Sequence, residues 1–403
     1  MIVNFIKEGK WAKMNRVNEL IKEYCPDGVE IRCLEDCCNL LDKKRKPITK
    51  AAREAGEYPY YGANGIQDYV ANYIFDGTFV LVGEDGSVIT KSGTPVVTWA
   101  EGKIWVNNHA HIIEEKDGVM LRYLYHYLQT IDVTSLIHGN IPKLTGGDFK
   151  ALKIAVPPLE VQREIVHILD SFTLLTAELT AELTSRKKQY EFYRDKLLTF
   201  GNDTLECRLK DICDIFLGLT ATPNYTDAGV KFISAQNTSN DFLDLSNVKY
   251  ISETDFESTT SNAKPQRGDL LFTRVGSNLG HPVIVETDEK LCIFVSLGYL
   301  RVRNKKQVVI GYLKHWMNTD LFWSQVRKNV HGAAKVNLNT GWLKEFRISL
   351  PPLETQERIV HVLDNFEAIC TDLNIGLPAE IEARQKQYEY YRDKLLSFKE
   401  LPK

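Results

Sequence analysis

The sequence predicts an α/β (α+β) fold: two similar domains joined by two long antiparallel helices that form a coiled coil, with a pseudo-twofold internal repeat. Three observations predict it. A segment opening PPLE-x-Q occurs twice, at Pro157 and at Pro351, a period of about 194 residues. That period is too long for a solenoid and marks a duplicated domain-plus-helix unit. Each copy carries an apolar stripe of helical spacing, and between the copies lie short β-type runs separated by turn residues. The expected order is an N-terminal helical segment over 1–24, a first domain over 25–156, a first long helix over 157–200, a second domain over 201–350 and a second long helix over 351–403.

In the first long helix, Ile165, Leu169, Phe172, Thr176, Leu179, Leu183, Arg186, Tyr190, Tyr193, Leu197 and Phe200 follow one another in steps of four and three. Such a heptad-like stripe requires a partner helix. The Pro157-Pro158 pair suits a helix start, where the missing N–H is not needed, and Gly201 suits a stop. The expected length is roughly 63 Å at 1.5 Å per residue.

The second copy keeps the stripe through Ile359, Leu363, Phe366, Cys370, Leu373, Leu377, Ile381, Arg384, Tyr388, Tyr391, Leu395 and Phe398. It holds four extra residues, a stutter of about one turn. Gly376 and Pro378 lie at that point, and proline inside a helix costs about 3 kcal/mol, so a kink or a break is expected there. If the halves are equivalent, one helix leads away from the first domain and the other leads back, which makes the pair antiparallel.

The first segment, NRVNELIKEY, is helical in pattern and precedes CPDGVEIRCLEDCC much as YRDKLLTF precedes GNDTLECRLKDIC. It is expected to pack near the end of the second long helix. In the first domain, β-type runs are Thr78–Val82, Val96–Trp99, Ile104–Val106 and His111–Ile113, followed by a helix over Val119–Thr130. Gly62-Ala63-Asn64-Gly65 and Glu84-Asp85-Gly86-Ser87 read as turns. The second domain repeats the order, with VVIGYLKHWMNT matching VMLRYLYHYLQT. The stretches near 50–125 and 220–305 hardly match. Divergence confined to one part of each domain suggests that the two read different things.

Composition bounds the class. Of 403 residues, 43% are hydrophobic and 26% charged, ordinary for a globular protein. No apolar run of about 18 residues is present, so no membrane span is expected. The first residues are too short in apolar character for a signal peptide, Met14 is an alternative start, and the cytoplasm is the expected compartment. The eight cysteines form no facing CxxC pairs, so no zinc site is expected. The net charge of −3 does not itself suggest a nucleic-acid binder, but binding depends on where charge sits.

Catalytic signatures are absent. There is no G-x-x-x-x-G-K-[ST] phosphate loop, no adenine-methyltransfer Asn/Asp-Pro-Pro-Tyr/Phe motif and no convincing triad. His109 and His111 lack a third metal ligand at a recognisable spacing and read as structural or groove-facing. Candidate DNA contacts are of two kinds. Lys43, Lys44, Arg45 and Lys46, with Lys50 and Arg53 beyond, form a basic run suited to phosphates; a solvated loop is the alternative. Tyr61, Asn64 and Gln67 lie in YPYYGANGIQD, where amides could bond base edges; a plain turn is the alternative. Asp85, Ser87 and Lys91 sit on the next loop. In the second domain the candidates are Gln236 and Asn237 after a strand over Lys231–Ala235, and Arg274, Ser277 and Asn278 in GDLLFTRVGSNLG. Lys143 and Lys335, each just past an HG pair, are near-equivalent candidates.

Taken together, PPLE-x-Q at 157–162 and 351–356, YRDKLL at 193–198 and 391–396, CPDGVE at 25–30, and GD-x-L with R-x-GS in the second domain make the chain resemble the specificity (S) subunit of a Type I restriction-modification system. The resemblance covers nearly the whole chain. It implies two target recognition domains, each reading one half of a bipartite, asymmetric DNA site, held at a set spacing by the coiled coil. It also implies two modification (methyltransferase) subunits as partners, carrying S-adenosylmethionine, and restriction subunits that use ATP and Mg. On that reading this chain is not a catalyst and binds no cofactor of its own. A coiled-coil scaffold that does not read DNA and a stand-alone enzyme are the competing classes; the missing motifs disfavour the second.

Overall fold

The computed structural model describes residues 16–201, 204–259, 261–276, 278–329, 337–372 and 374–402. Ser277, Lys335, Leu373 and the Met14 question lie outside the described residues. The chain divides into two compact units, Met1–Glu178 with Ile381–Lys403, and Leu179–Glu380.

The first unit is built on a six-stranded sheet in the order Asn39–Leu40, Ala110–Glu114, Phe75–Gly83, Val97–Val106, Ala55–Gly62, Gly65–Val70. Neighbours are antiparallel except Ala55–Gly62 against Val97–Val106. The two runs expected at Val96–Trp99 and Ile104–Val106 are one strand. Gly102 adopts positive φ and pairs with Gly77, so the ladder crosses the polar stretch Glu101–Lys103 without breaking. The central strand is covered on both faces: Val80 and Val82 join one core cluster, Phe79 and Leu81 another. Over Phe79–Gly83 this is the period-two alternation of a strand with no solvent face, while Asp76 and Thr78 before it are exposed. Helix Leu121–Leu128 packs Leu121, Leu124 and Leu128 on the first cluster.

That cluster also takes Val161, Ile165, Leu169 and Phe172 from the first long helix, Tyr388 and Leu395 from the second, and Leu396 just after it. One helix begins in this core and the other ends in it, so within the unit they run in opposite directions. Phe172 stacks on Tyr391 at 5.2 Å. Val17 and Leu20 of the helical residues 16–24 are buried in the same cluster. The unit is closed by backbone: Val29 N donates to Lys399 O at 2.8 Å and Leu401 N to Val29 O at 3.0 Å. Gly28 makes this approach possible, since a Cβ there would meet the backbone of Glu400 at 2.8 Å.

The second unit holds a four-stranded antiparallel sheet, Cys213–Leu217, Leu297–Val302, Leu270–Thr273, Pro282–Ile284, and a three-stranded sheet, Lys249–Ile251, Val230–Ile233, Leu291–Ile293. Its core gathers Leu313, Trp316 and Met317 of helix Ile310–Met317 with Ile359 and Leu363 of the second long helix and Leu198 after the first. Here the second helix begins and the first ends, again in opposite directions. Tyr193 and Phe366 meet at 6.1 Å.

The repeated PPLE-x-Q motif has a physical cause. Gln162 is fully buried; its Oε1 accepts from Met120 N at 2.9 Å, and its Nε2 donates to Gly118 O at 3.1 Å and to Pro157 O at 2.7 Å. Gln356 does the same with Val309 N, Gln307 O and Pro351 O at 3.0, 2.8 and 2.9 Å. One amide thus fixes the start of each long helix to the loop that opens the domain helix. A buried side chain with both donors and the acceptor used is stable where an unpaired one is not.

The first long helix runs Leu159–Leu197, 39 residues and about 58 Å. It stops a little short of Phe200. The second is two helices, Leu353–Thr371 and Leu377–Leu395. The stutter is therefore a break and restart. Asp372 accepts from Asn374 N at 2.7 Å and from Ile375 N at 3.1 Å, turning the chain. Gly376 is required by space, since a Cβ there would meet Asp372 O at 2.6 Å.

Candidate nucleic-acid interface

Four loops of the first unit converge on a cleft of about 510 Å³ lined by Ala63, Asn64, Gln67, Asp85, Gly86, Ser87, His109, Ile141 and Lys143. Asn64 is at the tip of the hairpin Ala55–Gly62/Gly65–Val70, and Gln67 is on the returning strand. Positive φ at Gly65 closes that two-residue turn. Asp85, Gly86 and Ser87 follow the central strand. Lys143 arrives on the short strand Lys143–Leu144, bridged to Asp85, with Leu144 N donating to Glu84 O at 2.8 Å and Gly86 N to Pro142 O at 2.9 Å.

The cleft floor is buttressed by residues that periodicity does not single out. Buried Asn107 accepts from His109 N at 2.8 Å and donates from Nδ2 to Gln67 Oε1 at 3.3 Å, aiming the Gln67 amide. His109 Nδ1 pairs with Asp85. Glu84 holds Arg45 at 2.6 Å and Lys143 at 3.4 Å. Ile141, 68% exposed, offers an apolar tip of the kind that meets a thymine methyl. The local sequence signals are slight: Glu84 is the first residue of the EDGS turn, and Asn107 precedes the histidines.

The structure separates the basic run. Lys43 and Lys44, in the turn Asp42–Lys44, and Lys46 are exposed. Trp105 Nε1 donates to Lys46 O at 2.6 Å, fixing the main chain and leaving the ammonium outside. Arg45 turns inward: its guanidinium donates to Glu84 and to Ala110 O, and lies 3.4 Å from Asp42. Arg45 is thus a structural ion-pair residue rather than a free cation for phosphate. Tyr61, 7% exposed, is packed in the sheet core, and burial pushes its phenol pKa up. It supports the hairpin from beneath. Lys91 is exposed on a turn outside the cleft lining. His111 is buried between Asp42 at 2.7 Å and Leu144 O at 3.0 Å and stacks on Phe149. Burial acts to raise the Asp42 pKa, but the bonds from His111 and Ile112 N and the charge of Arg45 outweigh it and hold the group below its usual value.

In the second unit a cleft of about 480 Å³ is lined by Tyr225, Phe232, Ser234, Ala235, Gln236, Asn237, Asn247, Lys249, Phe294 and Ser296. The strand expected over Lys231–Ala235 ends at Ile233, and Gln236 and Asn237 occupy the tight turn Ala235–Thr238. Gln236 is exposed. Asn237 is not free: Nδ2 donates to Asp244 O and Asn247 O at 3.2 and 3.1 Å, and Oδ1 accepts from Ser234 N at 3.0 Å. Its amide holds the loop together. Asn278 donates to Ser239 O at 3.4 Å. Arg274 Nη1 donates to Val295 O at 3.0 Å and Nε to Leu338 O at 3.4 Å, and burial lowers its pKa. By register the counterpart of Lys143 is Asn337, bridged to Val275 as Lys143 is to Asp85, and not Lys335. Both Lys143 and Asn337 precede a Leu and the side chain, Thr145 or Asn339, that caps the following helix.

Comparison with known proteins agrees along the chain. The family model described as Type I restriction modification DNA specificity domain matches residues 26–186 and again 202–383. A Haemophilus influenzae protein named as a type I restriction enzyme specificity subunit is 36% identical over 384 residues, covering 92% of this chain and 96% of that one. The EcoR124I/EcoR124II specificity subunit of Escherichia coli is 31% identical over 299 residues, covering 70% and 72%. The S subunit of a Type-I restriction-modification system from M. genitalium superposes with a TM-score of 0.53 at 14% identity, covering 91% and 96%. A chain from a structural study of type I complex assembly superposes with a TM-score of 0.56 at 16% identity, covering 92% and 97%. At those identities the structural likeness is one of fold.

Proposed function

The chain belongs to the Type I restriction modification DNA specificity family, and on that premise we propose how its two units divide the work. The protein is a DNA sequence-recognition subunit and not the catalyst of its complex. Each unit reads one half of a bipartite, asymmetric site, the first through the cleft of Asn64, Gln67, Ser87, Ile141 and Lys143, the second through the cleft of Gln236 and Lys249 and the neighbouring Arg274. Amides and a rigid arginine suit base edges, whereas the exposed Lys43, Lys44 and Lys46 suit phosphates, which orient without reading sequence. The two long helices set the unread spacer and dock two methyltransferase subunits. S-adenosylmethionine, ATP and Mg belong to those partners and to the restriction subunits. The domain boundaries that serve this division are 25–156 and 201–350, flanked by the helical segments.

The observation that carries the reading is the convergence of polar side chains from four loops on one cleft in the first unit, together with the different lining of the cleft in the second. No helix among the described residues is long and apolar enough to cross a membrane. The test is exchange of residues 25–156 for the matching domain of a relative, in the complete complex, with methyl-adenine mapping across a genome. One half-site should change while the other and the spacer persist. Unchanged specificity would instead favour a scaffold that reads no DNA.

A further inference from the structure

We propose that Arg274 is the residue through which the second unit selects guanine, by donating to the base-edge acceptors O6 and N7; the inference rests on the reading of the clefts as DNA-facing. The two units differ by a charge inversion at one backbone position. Arg274 follows strand Leu270–Thr273 and its carbonyl accepts from Leu338 N at 3.0 Å; Glu84 follows strand Phe75–Gly83 and its carbonyl accepts from Leu144 N at 2.8 Å. The next residues, Val275 and Asp85, bridge Asn337 and Lys143. The backbone frame is therefore the same, and the side chain is an anion in one unit and a cation in the other.

The two side chains are not in the same state. The Glu84 carboxylate is neutralised by Arg45 and Lys143 within its own unit. Arg274 has no carboxylate in ion-pair range among the described residues; its bonds go to two backbone carbonyls, through Nη1 and Nε. A guanidinium carries five donors, and Nη2 has no partner among the described residues. A half-buried cation of this kind gains most from a ligand that brings paired acceptors. Arg274 N also donates to Ser296 O at 2.8 Å, and Ser296 lines the cleft with Gln236.

Base and phosphate both offer acceptors, and orientation decides between them. Two carbonyls hold this guanidinium in one pose, whereas the phosphate-facing lysines of the first unit are unrestrained. A fixed planar fork fits the paired acceptors of guanine, the commonest specific arginine contact in DNA.

The test uses the full chain assembled with its methyltransferase subunits and a library randomised across both half-sites. R274K and R274Q should each relax one base position, within a single half-site, by about tenfold or more, with the other half-site unchanged. Uniform weakening on all sequences, with the salt slope reduced by about one, identifies a phosphate contact and overturns the proposal. Unchanged preference at every position overturns it as well. If R274Q fails to fold, R274K decides on base preference alone, because it keeps the charge on which the salt slope depends: relaxation at one position supports the proposal, and weakening spread evenly over all sequences, or none at all, overturns it. A wild-type complex showing no base preference in either half-site would be a failure of the wider reading, and is distinguishable from these.

Discussion

The imidazole of His126 lies between the hydroxyl of Tyr388, at 2.9 Å from Nδ1, and the carboxylate of Asp170, at 2.9 Å from Nε2. The second unit repeats the arrangement with His315, Tyr190 at 3.0 Å and Asp364 at 2.7 Å. In each unit the histidine comes from a domain helix, the aspartate from the long helix that begins there and the tyrosine from the long helix that ends there. Each histidine is a three-way tie. Tyr388→Phe leaves a buried ring nitrogen unpaired and should cost about 1–3 kcal/mol. Tyr190→Phe should cost a similar amount, and the two should add, because they share no partner. Chemical denaturation of the single and double variants measures this.

Acid should loosen the first of these ties before the carboxylates protonate. Burial holds the His126 pKa below its ordinary value despite the pull of Asp170. The unfolded chain then binds a proton that the folded chain resists, so stability falls as pH drops through the unfolded histidine value, about 6.5. Asp170 responds lower. Burial acts to raise its pKa, but bonds from His126 and Arg122 hold it below the usual range, so its contribution is lost only as pH falls through that depressed value. Between pH 7.5 and 5.5 the melting temperature should fall, and His126→Gln should narrow the fall.

The buried glutamines make a sharper stability test. In Gln356→Glu the carboxylate cannot donate to Gln307 O and Pro351 O and faces both oxygens. A loss of about 2 kcal/mol or more is expected at neutral pH, with only a small effect from Glu357→Gln on the exposed side of the same turn. Equilibrium unfolding in denaturant checks both. Gln162→Glu should behave like Gln356→Glu.

Binding measurements should separate phosphate neutralisation from base reading in the first unit. Alanine at Lys43, Lys44 and Lys46 should weaken all sequences alike and lower the salt slope by about one for each phosphate left without its lysine. Alanine at Asn64 or Gln67 should leave that slope unchanged and alter preference at one half-site. Titration of both variant sets at two salt concentrations distinguishes them.

Legibility in the sequence follows the range of the interactions. The duplicated motif, the helical stripe and the GANG turn are local, and they foretell the helices, their opposed directions and the turn that carries Asn64, though not the strands on either side of it. The fate of a charged side chain is not local. Arg45 reads like any member of a basic run because its carboxylate, Glu84, lies on another loop. Asn237 reads like a free amide because the carbonyls that occupy it belong to a turn with no pattern of its own. Tyr61 alternates into a core whose other face is supplied by strands far along the chain. The nearby HG pair matches Lys335 to Lys143, whereas backbone register matches Asn337.

The stitching of Val29 to Lys399 and Leu401 also bears on biosynthesis. Residues 179–380 form a contiguous unit, whereas the unit begun first is completed only by residues translated after the other, 381–402. The usual order of maturation should thereby be inverted, with the amino-terminal unit completed last. Protease protection of stalled nascent chains should appear in the second unit first, and a stop codon before Tyr388 should leave the first unit digestible.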